Sequence, residues 1–468
     1  MSIEQYQNLI IGSGEAGKYL AWNLAKMGQK TAIVERSMIG GSCPNIACLP
    51  SKNVIFSAKA VSLANPSSGL GVMSGTLQVD MAGVARRKRE MVEELVTIHL
   101  NNFKATGAEL ILGEARFTGS KTVQVELQSG DTRQLAGERV FLCVGSRASI
   151  PNVPGLAAAR PMTHVEALNL ERLPEHLVVL GGGYVGLEFA QAMRRFGSRV
   201  TILQRGPQLL DREDPDVSAA LLELMHDEGI EVILKAELLS VAGRSGEEVR
   251  LKVRSASGER EIVASDILAA AGRTPNTDRL GVDQGGIELD ARGYIRVNEK
   301  LQTSAVEVWA MGDCAGSPQF THVGYDDFRV VLSQLTSGGR TTTGRLIPYC
   351  LFTDPELARV GMSEAEARSQ KIAYRVARIP AARIGRMQTL SETRGFVKAL
   401  IGENDRILGF AAFCAEASEL MAGVQTAMLG NLPYTLLRDA VLTHPTASEG
   451  LTVLFTSGFA NPVVSGAK

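Results

Sequence analysis

The chain has 468 residues, of which 45% are hydrophobic and 21% are charged, and this composition predicts a folded globular protein of about two to four domains. Its formal net charge of −1 gives no indication of nucleic-acid binding. The sequence shows neither a signal-peptide pattern nor an uncharged apolar run long enough to cross a membrane, so we expect a cytoplasmic protein without a membrane segment.

The N-terminal segment is predicted to form a β-α-β unit. A short apolar strand precedes the sequence GSGEAG, and a helix and a second apolar strand follow it. In this context Gly12 makes the tight turn, Gly14 lets the backbone approach a pyrophosphate, and Gly17 lets the helix pack closely on the strand. Glu35, which ends the second strand, can accept a hydrogen bond from a ribose hydroxyl. The pattern is typical of a dinucleotide-binding domain.

Two cysteines, Cys43 and Cys48, follow this unit in the sequence GGSCPNIACLPSK. On a regular helix their Cα atoms would lie roughly 8.7 Å apart, which is too far for a disulfide. If the pair is bridged, the chain around Cys43 must be non-helical and only Cys48 lies in the first turn of a helix, with Pro44 at an early helical position. A helix N-terminus stabilises a thiolate and so favours redox chemistry. From the spacing alone, two buried structural cysteines remain the alternative.

A second β-α-β unit repeats the glycine spacing in GGGYVG, with Gly181, Gly183 and Gly186. A helix that continues through residue 195 is predicted to follow these glycines. The apolar strands of the two units are predicted over residues 7–11, 31–35, 176–180 and 199–203. The chain therefore has two predicted dinucleotide sites.

The residue 23 positions after the first glycine differs between the two units: it is Glu35 in the first and Gln204 in the second. A carboxylate binds a ribose diol and repels a 2′-phosphate. Neutral Gln204, followed by Arg205 and with Arg212 close by, would accept that phosphate through charge-assisted hydrogen bonds. The second site is therefore predicted to prefer NADPH over NADH. The alternative is that the two arginines are ordinary solvated surface residues.

With these features the chain resembles the flavoprotein disulfide reductases, the class I pyridine nucleotide-disulfide oxidoreductases that include glutathione reductase, dihydrolipoamide dehydrogenase and mercuric reductase. The resemblance extends from about residue 7 to residue 451. Its further motifs are GEARF at 113–117, GRTPN at 272–276, MGDC at 311–314, FTDPE at 352–356, and HPT at 444–446 with Glu449.

The resemblance implies an α/β fold with two Rossmann-like dinucleotide-binding domains and a C-terminal α+β interface or dimerisation domain. The expected domains are an FAD domain at 1–150, an NAD(P)H domain at 151–278, a return segment of the FAD domain at 279–345 and an interface domain at 346–468. A homodimer with two composite active sites is implied. We also predict a long helix over residues 80–101, strands over 395–401 and 407–412, and a helix over 417–429.

The resemblance also implies roles for individual residues. FAD would be held by Gly12, Gly14, Gly17, Glu35, Ala115 and Asp313, and the nicotinamide nucleotide by Gly181, Gly183, Gly186, Gly272, Arg205 and Arg212. Lys52 would lie near the flavin and pair with Glu188. Tyr184 would cover the empty nicotinamide pocket, although simple core packing is the alternative for this side chain.

Four residues would carry out the chemistry that the resemblance implies. Cys48 would face the flavin, and Cys43 would exchange with substrate. His444 would deliver and accept the proton of thiol exchange, with Glu449 holding its imidazole. The remaining cysteines are expected to be structural: Cys143, Cys314, Cys350 and Cys414. No cluster of metal-ligating residues stands out, and the basic run at 86–89 is predicted to be a solvated helix face, with binding of an acidic substrate as the alternative.

The acceptor is the weakest inference from the sequence. Several segments favour mercuric reductase, but His444 stands where the mercury enzymes have a tyrosine, and residues 461–468 lack their adjacent cysteine pair. We therefore predict a small-molecule or protein disulfide, with Hg(II) reduction, lipoamide chemistry with an NAD preference, or a redox sensor without turnover as alternatives. Pro44, Ala47 and the segment 321–328 depart from the usual family pattern, so no familiar substrate is assumed.

Overall fold

The computed structural model describes residues 2–65, 70–71, 75 and 77–459. The first part of the chain alternates strands and helices and then forms an antiparallel meander. Its elements are β1 (Ile3–Ile11), α1 (Glu15–Lys26), β2 (Thr31–Glu35), α2 (Ser42–Ile46), α3 (Cys48–Ala64), α4 (Met81–Thr106), β3 (Glu109–Gly119), β4 (Thr122–Leu127), β5 (Thr132–Leu142) and β6 (Ser146–Ala148). Strand β1 pairs in parallel with β2 and β5, and β2 pairs in parallel with β3. Every residue of β2 is buried, as expected for a parallel strand covered on both faces.

The second part of the chain forms another sheet. Its elements are α5 (His164–Ala167), β7 (His176–Leu180), α6 (Tyr184–Phe196), β8 (Arg199–Gln204), α7 (Pro215–Asp227), β9 (Glu231–Leu234), β10 (Glu237–Gly243), β11 (Val249–Ser255), β12 (Gly258–Ala264), β13 (Asp266–Ala269) and β14 (Arg273–Pro275). The parallel order is β13-β7-β8-β9, and β10, β11 and β12 form a separate antiparallel sheet. Strand β14 pairs with β6, so the segment that leaves the first part of the chain and the segment that returns to it lie next to each other.

The chain then returns to the first sheet through β15 (Val308–Ala310), which pairs in parallel with β5, and continues into α8 (Thr321–Leu335). The first sheet therefore contains strands that precede the second sheet in the sequence, and one strand, β15, that follows it. The boundaries at 150, 278 and 345 remain predictions.

The C-terminal part is an antiparallel sheet of order β16-β17-β20-β19-β18 with helices packed on it. Its elements are β16 (Pro348–Leu351), β17 (Glu356–Gly361), α9 (Glu364–Ser369), β18 (Arg375–Pro380), α10 (Gly385–Leu390), β19 (Phe396–Ile401), β20 (Ile407–Cys414), α11 (Ala417–Leu429), α12 (Tyr434–Asp439) and α13 (Gly450–Ser457). Helix α11 buries Leu420 and Val424 in this core. The α/β fold class with an additional α+β unit is confirmed.

The basic run at 86–89 is a solvated helix face except at Lys88. Lys88 is only 4% exposed, and its Nζ donates to Asn169 Oδ1 at 2.6 Å. Arg89 pairs with Glu171 at 2.6 Å. The predicted solvated face is therefore confirmed for the three arginines, and Lys88 departs from it because α4 packs against the segment before β7.

A buried ionic cluster joins the second sheet unit to the C-terminal sheet. Lys398, 1% exposed, donates to Asp214, Asp216 and Glu364 at 3.0, 2.9 and 3.2 Å. The three carboxylates converge closely enough to bind a cation, and the lysine ammonium supplies the compensating positive charge. The cluster fixes the chain that follows Arg212.

Within the part of the chain that the structure describes, no helix has both the length and the apolar character required to span a bilayer.

Candidate active site

Cys43 and Cys48 lie on two helices separated by a break. Cys43 is in the short helix α2, Cys48 begins α3, and Ala47 between them has φ −131° and ψ −105°. A non-helical chain around Cys43 was expected for a bridged pair; both thiols are free here, and one helical turn forms before the break. The break at Ala47 supplies the interruption that the spacing required, and both cysteines are free thiols.

The two thiols differ electrostatically. The hydrogen bond from Cys43 lowers the pKa of Cys48, and Thr321 and Lys52 act in the same direction against burial. The same hydrogen bond, together with burial, raises the pKa of Cys43. The Thr321 hydroxyl lies 3.0 Å from Cys48 Sγ. These effects favour negative charge on Cys48 rather than on Cys43.

Lys52 and Glu188 form the expected ion pair. Lys52 Nζ lies 2.9 and 2.8 Å from the two oxygens of Glu188, which is buried on α6. The Glu188 carboxylate also accepts the backbone N–H of Phe352 at 2.9 Å. This pair joins α3, four residues beyond Cys48, to the helix of the second glycine loop.

The first glycine loop has the shape that a dinucleotide cradle requires. Gly12 has φ +98°, and a Cβ atom there would lie 2.4 Å from the Cys143 carbonyl oxygen. A Cβ on Gly17 would lie 2.2 Å from Gly12 O, whereas one on Gly14 would make only an ordinary contact. A ligand can therefore reach the N–H groups at the start of α1, and the loop fits the pyrophosphate of FAD.

Glu35 is buried and holds this loop. One carboxylate oxygen accepts from Ser13 N and Ser13 Oγ at 2.9 and 2.7 Å, and the other accepts from the N–H groups of Ser37 and Met38 at 2.8 and 2.9 Å. No pattern in the sequence indicates these four hydrogen bonds. Glu35 thus orders the loop itself, and its contact with a ribose remains a prediction.

Ala115 and Asp313 occupy separate parts of the first sheet unit. Ala115 is buried on β3 opposite Val125. Asp313 follows β15 and accepts a hydrogen bond from Ser146, and Arg273 Nε lies 3.5 Å from its carboxylate. The roles of both residues toward FAD remain predictions.

The second glycine loop repeats the geometry of the first. A Cβ on Gly181 would lie 2.5 Å from Ala270 O, and a Cβ on Gly186 would lie 2.1 Å from Gly181 O. No described atom lies within 4 Å of a Cβ built on Gly183, and the same is true of Gly272, whose φ is +117°. Close packing at two glycines and open space at the third fit a second nucleotide.

Gln204 is a buried part of this loop. Its Oε1 accepts from Gly182 N at 2.9 Å, and its Nε2 donates to Gln208 O at 3.1 Å and to Asp211 at 2.9 Å. Its side-chain amide is therefore already engaged, and the Asp211 carboxylate adds negative charge beside it.

Arg205 and Arg212 are both exposed, and neither forms an ion pair with another described residue. Recognition of a 2′-phosphate remains a prediction, and it rests on these two arginines rather than on Gln204.

Tyr184 begins α6, and its ring meets Phe320 edge to face with centroids 5.9 Å apart. Burial and the nearby Glu213 carboxylate raise its pKa. Phe320 in turn contacts Tyr349, with centroids 5.2 Å apart. Tyr184 therefore belongs to an aromatic group at the second glycine loop, and its covering of a nicotinamide pocket remains a prediction.

His444 and Glu449 form the expected dyad in the C-terminal unit. His444 Nδ1 lies 2.9 Å from both carboxylate oxygens, and Thr446 N donates to one of them at 3.1 Å. The imidazole lowers the pKa of Glu449. The His444 side chain is 76% exposed, and among the described residues no hydrogen bond joins it to Cys43 or Cys48. The structure thus places His444 and Glu449 together, but it does not join them to the two thiols of the same chain.

Thr321 is the site residue that sequence reasoning missed. The segment 321–328 was noted only because it departs from the usual family pattern. A polar residue at the start of a helix was the one available signal for Thr321.

The four other cysteines were expected to be structural, and Cys143, Cys314 and Cys414 are buried, whereas Cys350 is half-buried.

Residues 6–327 match the family described as pyridine nucleotide-disulphide oxidoreductase, and residues 347–454 match the dimerisation domain of that family. The chain belongs to the pyridine nucleotide-disulphide oxidoreductase family. It is accordingly an FAD-dependent oxidoreductase that uses a pyridine nucleotide.

Several relatives cover nearly the whole chain. The probable pyridine nucleotide-disulfide oxidoreductase RclA of Escherichia coli K12 is 35% identical over 97% of this chain and 99% of its own length. A mercuric reductase of Acidithiobacillus ferrooxidans is 33% identical over 94% and 80%, and a dihydrolipoyl dehydrogenase of Geobacillus stearothermophilus is 31% identical over 95% and 94%.

Solved structures show the same similarity. The HOCl-induced flavoprotein disulfide reductase RclA from Escherichia coli is 34% identical, with a TM-score of 0.87 over 97% of this chain and 100% of that chain. A Cu(II) complex of RclA gives a TM-score of 0.88 at 34% identity, over 97% and 99%.

Proposed function

We propose that this oxidoreductase reduces a disulfide substrate with electrons from NADPH, through FAD and the Cys43–Cys48 pair. The overall reaction converts NADPH, a proton and RSSR into NADP⁺ and two RSH. The observation that carries the proposal is the Cys43–Cys48 pair, in which the pKa is lowered at Cys48 and raised at Cys43. Cys48 lies four residues before Lys52, which bridges to Glu188 on the helix of the second glycine loop. The similarity to RclA, a flavoprotein disulfide reductase, supports the same reaction.

When bound, FAD supplies the passage of an electron pair from the nicotinamide to the cysteine disulfide. Cys48 holds the thiolate, and Cys43 attacks one substrate sulfur and releases the other as a thiol. Cys48 then displaces the substrate from the mixed disulfide and restores the Cys43–Cys48 disulfide. Attack by Cys43 needs a base that takes the thiol proton, and the leaving sulfurs need an acid.

We assign that acid–base role to His444 of the partner subunit in a homodimer. Two observations support this assignment: the dyad is exposed in the protomer, and its domain matches the family's dimerisation domain. The enzyme would then carry two composite sites. We propose a cytoplasmic location, because the reaction consumes a reduced pyridine nucleotide.

The first experiment is an anaerobic titration of the purified enzyme with NADPH, followed by visible absorbance. We expect a long-wavelength absorbance band, which arises when the Cys48 thiolate lies against the flavin ring. A panel of small disulfides, a protein disulfide, Hg(II) and Cu(II) is then added, and the true substrate discharges this signal catalytically. Flavin bleaching without the long-wavelength signal would contradict a mechanism through the cysteine pair.

Metal-ion reduction is the second candidate, because mercuric reductases are among the relatives and RclA was solved as a Cu(II) complex. The retained His444 opposes Hg(II), since soft-metal transfer uses successive thiolates whereas disulfide exchange uses an acid and a base. The C-terminal residues 461–468, on which the other argument against mercury rests, lie outside the described part of the chain.

The two arginines give a test of nucleotide preference. We expect the double variant Arg205→Ala/Arg212→Ala to raise KM for NADPH at least about tenfold, because each charge-assisted bond to a phosphate contributes about 1.5 kcal/mol or more. KM for NADH should change little, because NADH has no 2′-phosphate. Steady-state kinetics with both nucleotides measure this, and an unchanged NADPH/NADH ratio would contradict the preference. Arg250→Ala, an exposed arginine on β11, is the matched control.

A further inference from the structure

We propose that Thr321 is a positioning residue that holds the negative charge of the reduced pair on Cys48, by donating a hydrogen bond from its hydroxyl to Cys48 Sγ. The inference rests on the proposed function, in which Cys48 is the sulfur that faces the flavin. It adds a residue from a distant segment of the chain, 273 positions after Cys48, to the cysteine pair.

The contact is direct. Thr321 Oγ1 lies 3.0 Å from Cys48 Sγ, which is within hydrogen-bonding distance for a sulfur acceptor. The Thr321 hydroxyl is therefore placed to donate to Cys48 Sγ, and its hydrogen bond lowers the pKa of Cys48, as does that from Cys43. Thr321 also stabilises charge on Cys43, but there the hydrogen bond given to Cys48, burial and the charge of Cys48 all oppose ionisation.

The hydroxyl is held in place from both sides. Phe320, the residue before it, contacts Tyr184 and stacks on His322, with ring centroids 5.9 and 5.3 Å apart. His322, the residue after it, has Nε2 3.0 Å from Pro348 O.

Further along α8, the fully buried Asp327 fixes the helix. Its carboxylate accepts from Gly312 N and Ser317 Oγ, both at 2.7 Å, and pairs with Arg345 at 2.5 Å. Because α8 and the chain before it are anchored in this way, the Thr321 hydroxyl is positioned before the thiolate forms.

The chemistry sets the direction of the hydrogen bond. A thiol is a weak donor and a neutral sulfur is a weak acceptor, whereas a thiolate accepts a charge-assisted bond that is roughly twice as strong. The Thr321–Cys48 contact therefore stabilises the ionised form of Cys48 more than the neutral form. The two cysteines then have divided roles: Cys48 carries the charge, and Cys43 stays protonated until a base removes its proton.

The test compares Cys43→Ser with Cys43→Ser/Thr321→Val. Valine keeps the shape of threonine but cannot donate. In the Cys43→Ser background the only thiol of the pair is Cys48, so its titration is simple. We expect the double variant to raise the pH midpoint of Cys48 ionisation by about one unit, a tenfold change in the ionisation constant. Thr321→Ser, which restores the hydroxyl, should bring the midpoint back.

Two readouts follow the same thiolate. One is the pH dependence of the long-wavelength absorbance of the oxidised flavin. The other is the pH profile of Cys48 alkylation by iodoacetamide, followed by mass spectrometry, which requires no turnover. Thr336→Val, at the other end of α8, is the control and should shift neither readout.

An unchanged midpoint in the Thr321→Val variant would overturn the inference. If that variant loses its fold or its flavin, Thr321→Ala tests the same donor, with the same expected shift. Failure of the proposed function has a separate signature, namely that the wild-type enzyme turns over no disulfide. The alkylation profile tests Thr321 in either case.

Discussion

Replacement of Cys43 by serine is expected to abolish disulfide turnover while NADPH still reduces the flavin. The variant lacks the sulfur that attacks substrate but keeps Cys48, Lys52 and both glycine loops. We expect kcat with a disulfide to fall by at least about 10³-fold, because removal of a nucleophile removes the covalent step itself. The Cys48 thiolate has no disulfide partner in this variant and should give a stable long-wavelength absorbance.

Stopped-flow absorbance with NADPH separates the two half-reactions. The matched control is Cys414→Ala, which removes a buried thiol of the C-terminal sheet. Cys414 belongs neither to the Cys43–Cys48 pair nor to the His444–Glu449 dyad, so this variant should retain turnover. Loss of flavin reduction in Cys43→Ser, with flavin still bound, would count against the assigned order of electron transfer. Full turnover in Cys43→Ser would exclude the cysteine pair from the reaction.

The second large effect is expected from His444→Gln. Glutamine keeps a polar side chain but cannot shuttle a proton, so disulfide turnover should fall by about 10²- to 10⁴-fold. The flavin should still be reduced by NADPH, because the dyad is not bonded to either thiol within the protomer. Glu449→Gln should cause a smaller loss, since the imidazole remains but loses the carboxylate that orients it.

Mixed dimers of the two inactive variants test whether each site uses both subunits. In a dimer of one Cys43→Ser chain and one His444→Gln chain, a composite arrangement produces one site with both native groups and one site with neither. Random mixing should then restore about a quarter of wild-type activity, because half the dimers are mixed and each has one active site of two. No recovery on mixing, with exchange of subunits verified, would place His444 and Cys43 of the same chain in one site.

The sequence by itself predicted the local geometry of the nucleotide loops. The strands over 31–35 and 176–180 and the helix over 417–429 have the predicted bounds, because apolar periodicity and flanking glycines are local properties. The α4 helix runs to Thr106 rather than to 101, since it continues until Gly107 adopts a left-handed conformation. The family resemblance also implied the contacts of Lys52 with Glu188 and of His444 with Glu449, and the structure has both.

What only the tertiary structure decided is which distant side chains meet. The break at Ala47, rather than a non-helical segment at Cys43, brings the two thiols together. Thr321 reaches Cys48 because α8 is anchored through Asp327, and Lys88 is buried because α4 packs on another unit. Residue type and spacing determine the shape of a loop or a helix, whereas long-range packing determines the environment of each polar group. The sequence therefore determined where the cysteine pair and the glycine loops lie, and only the fold decided that the Thr321 hydroxyl meets Cys48.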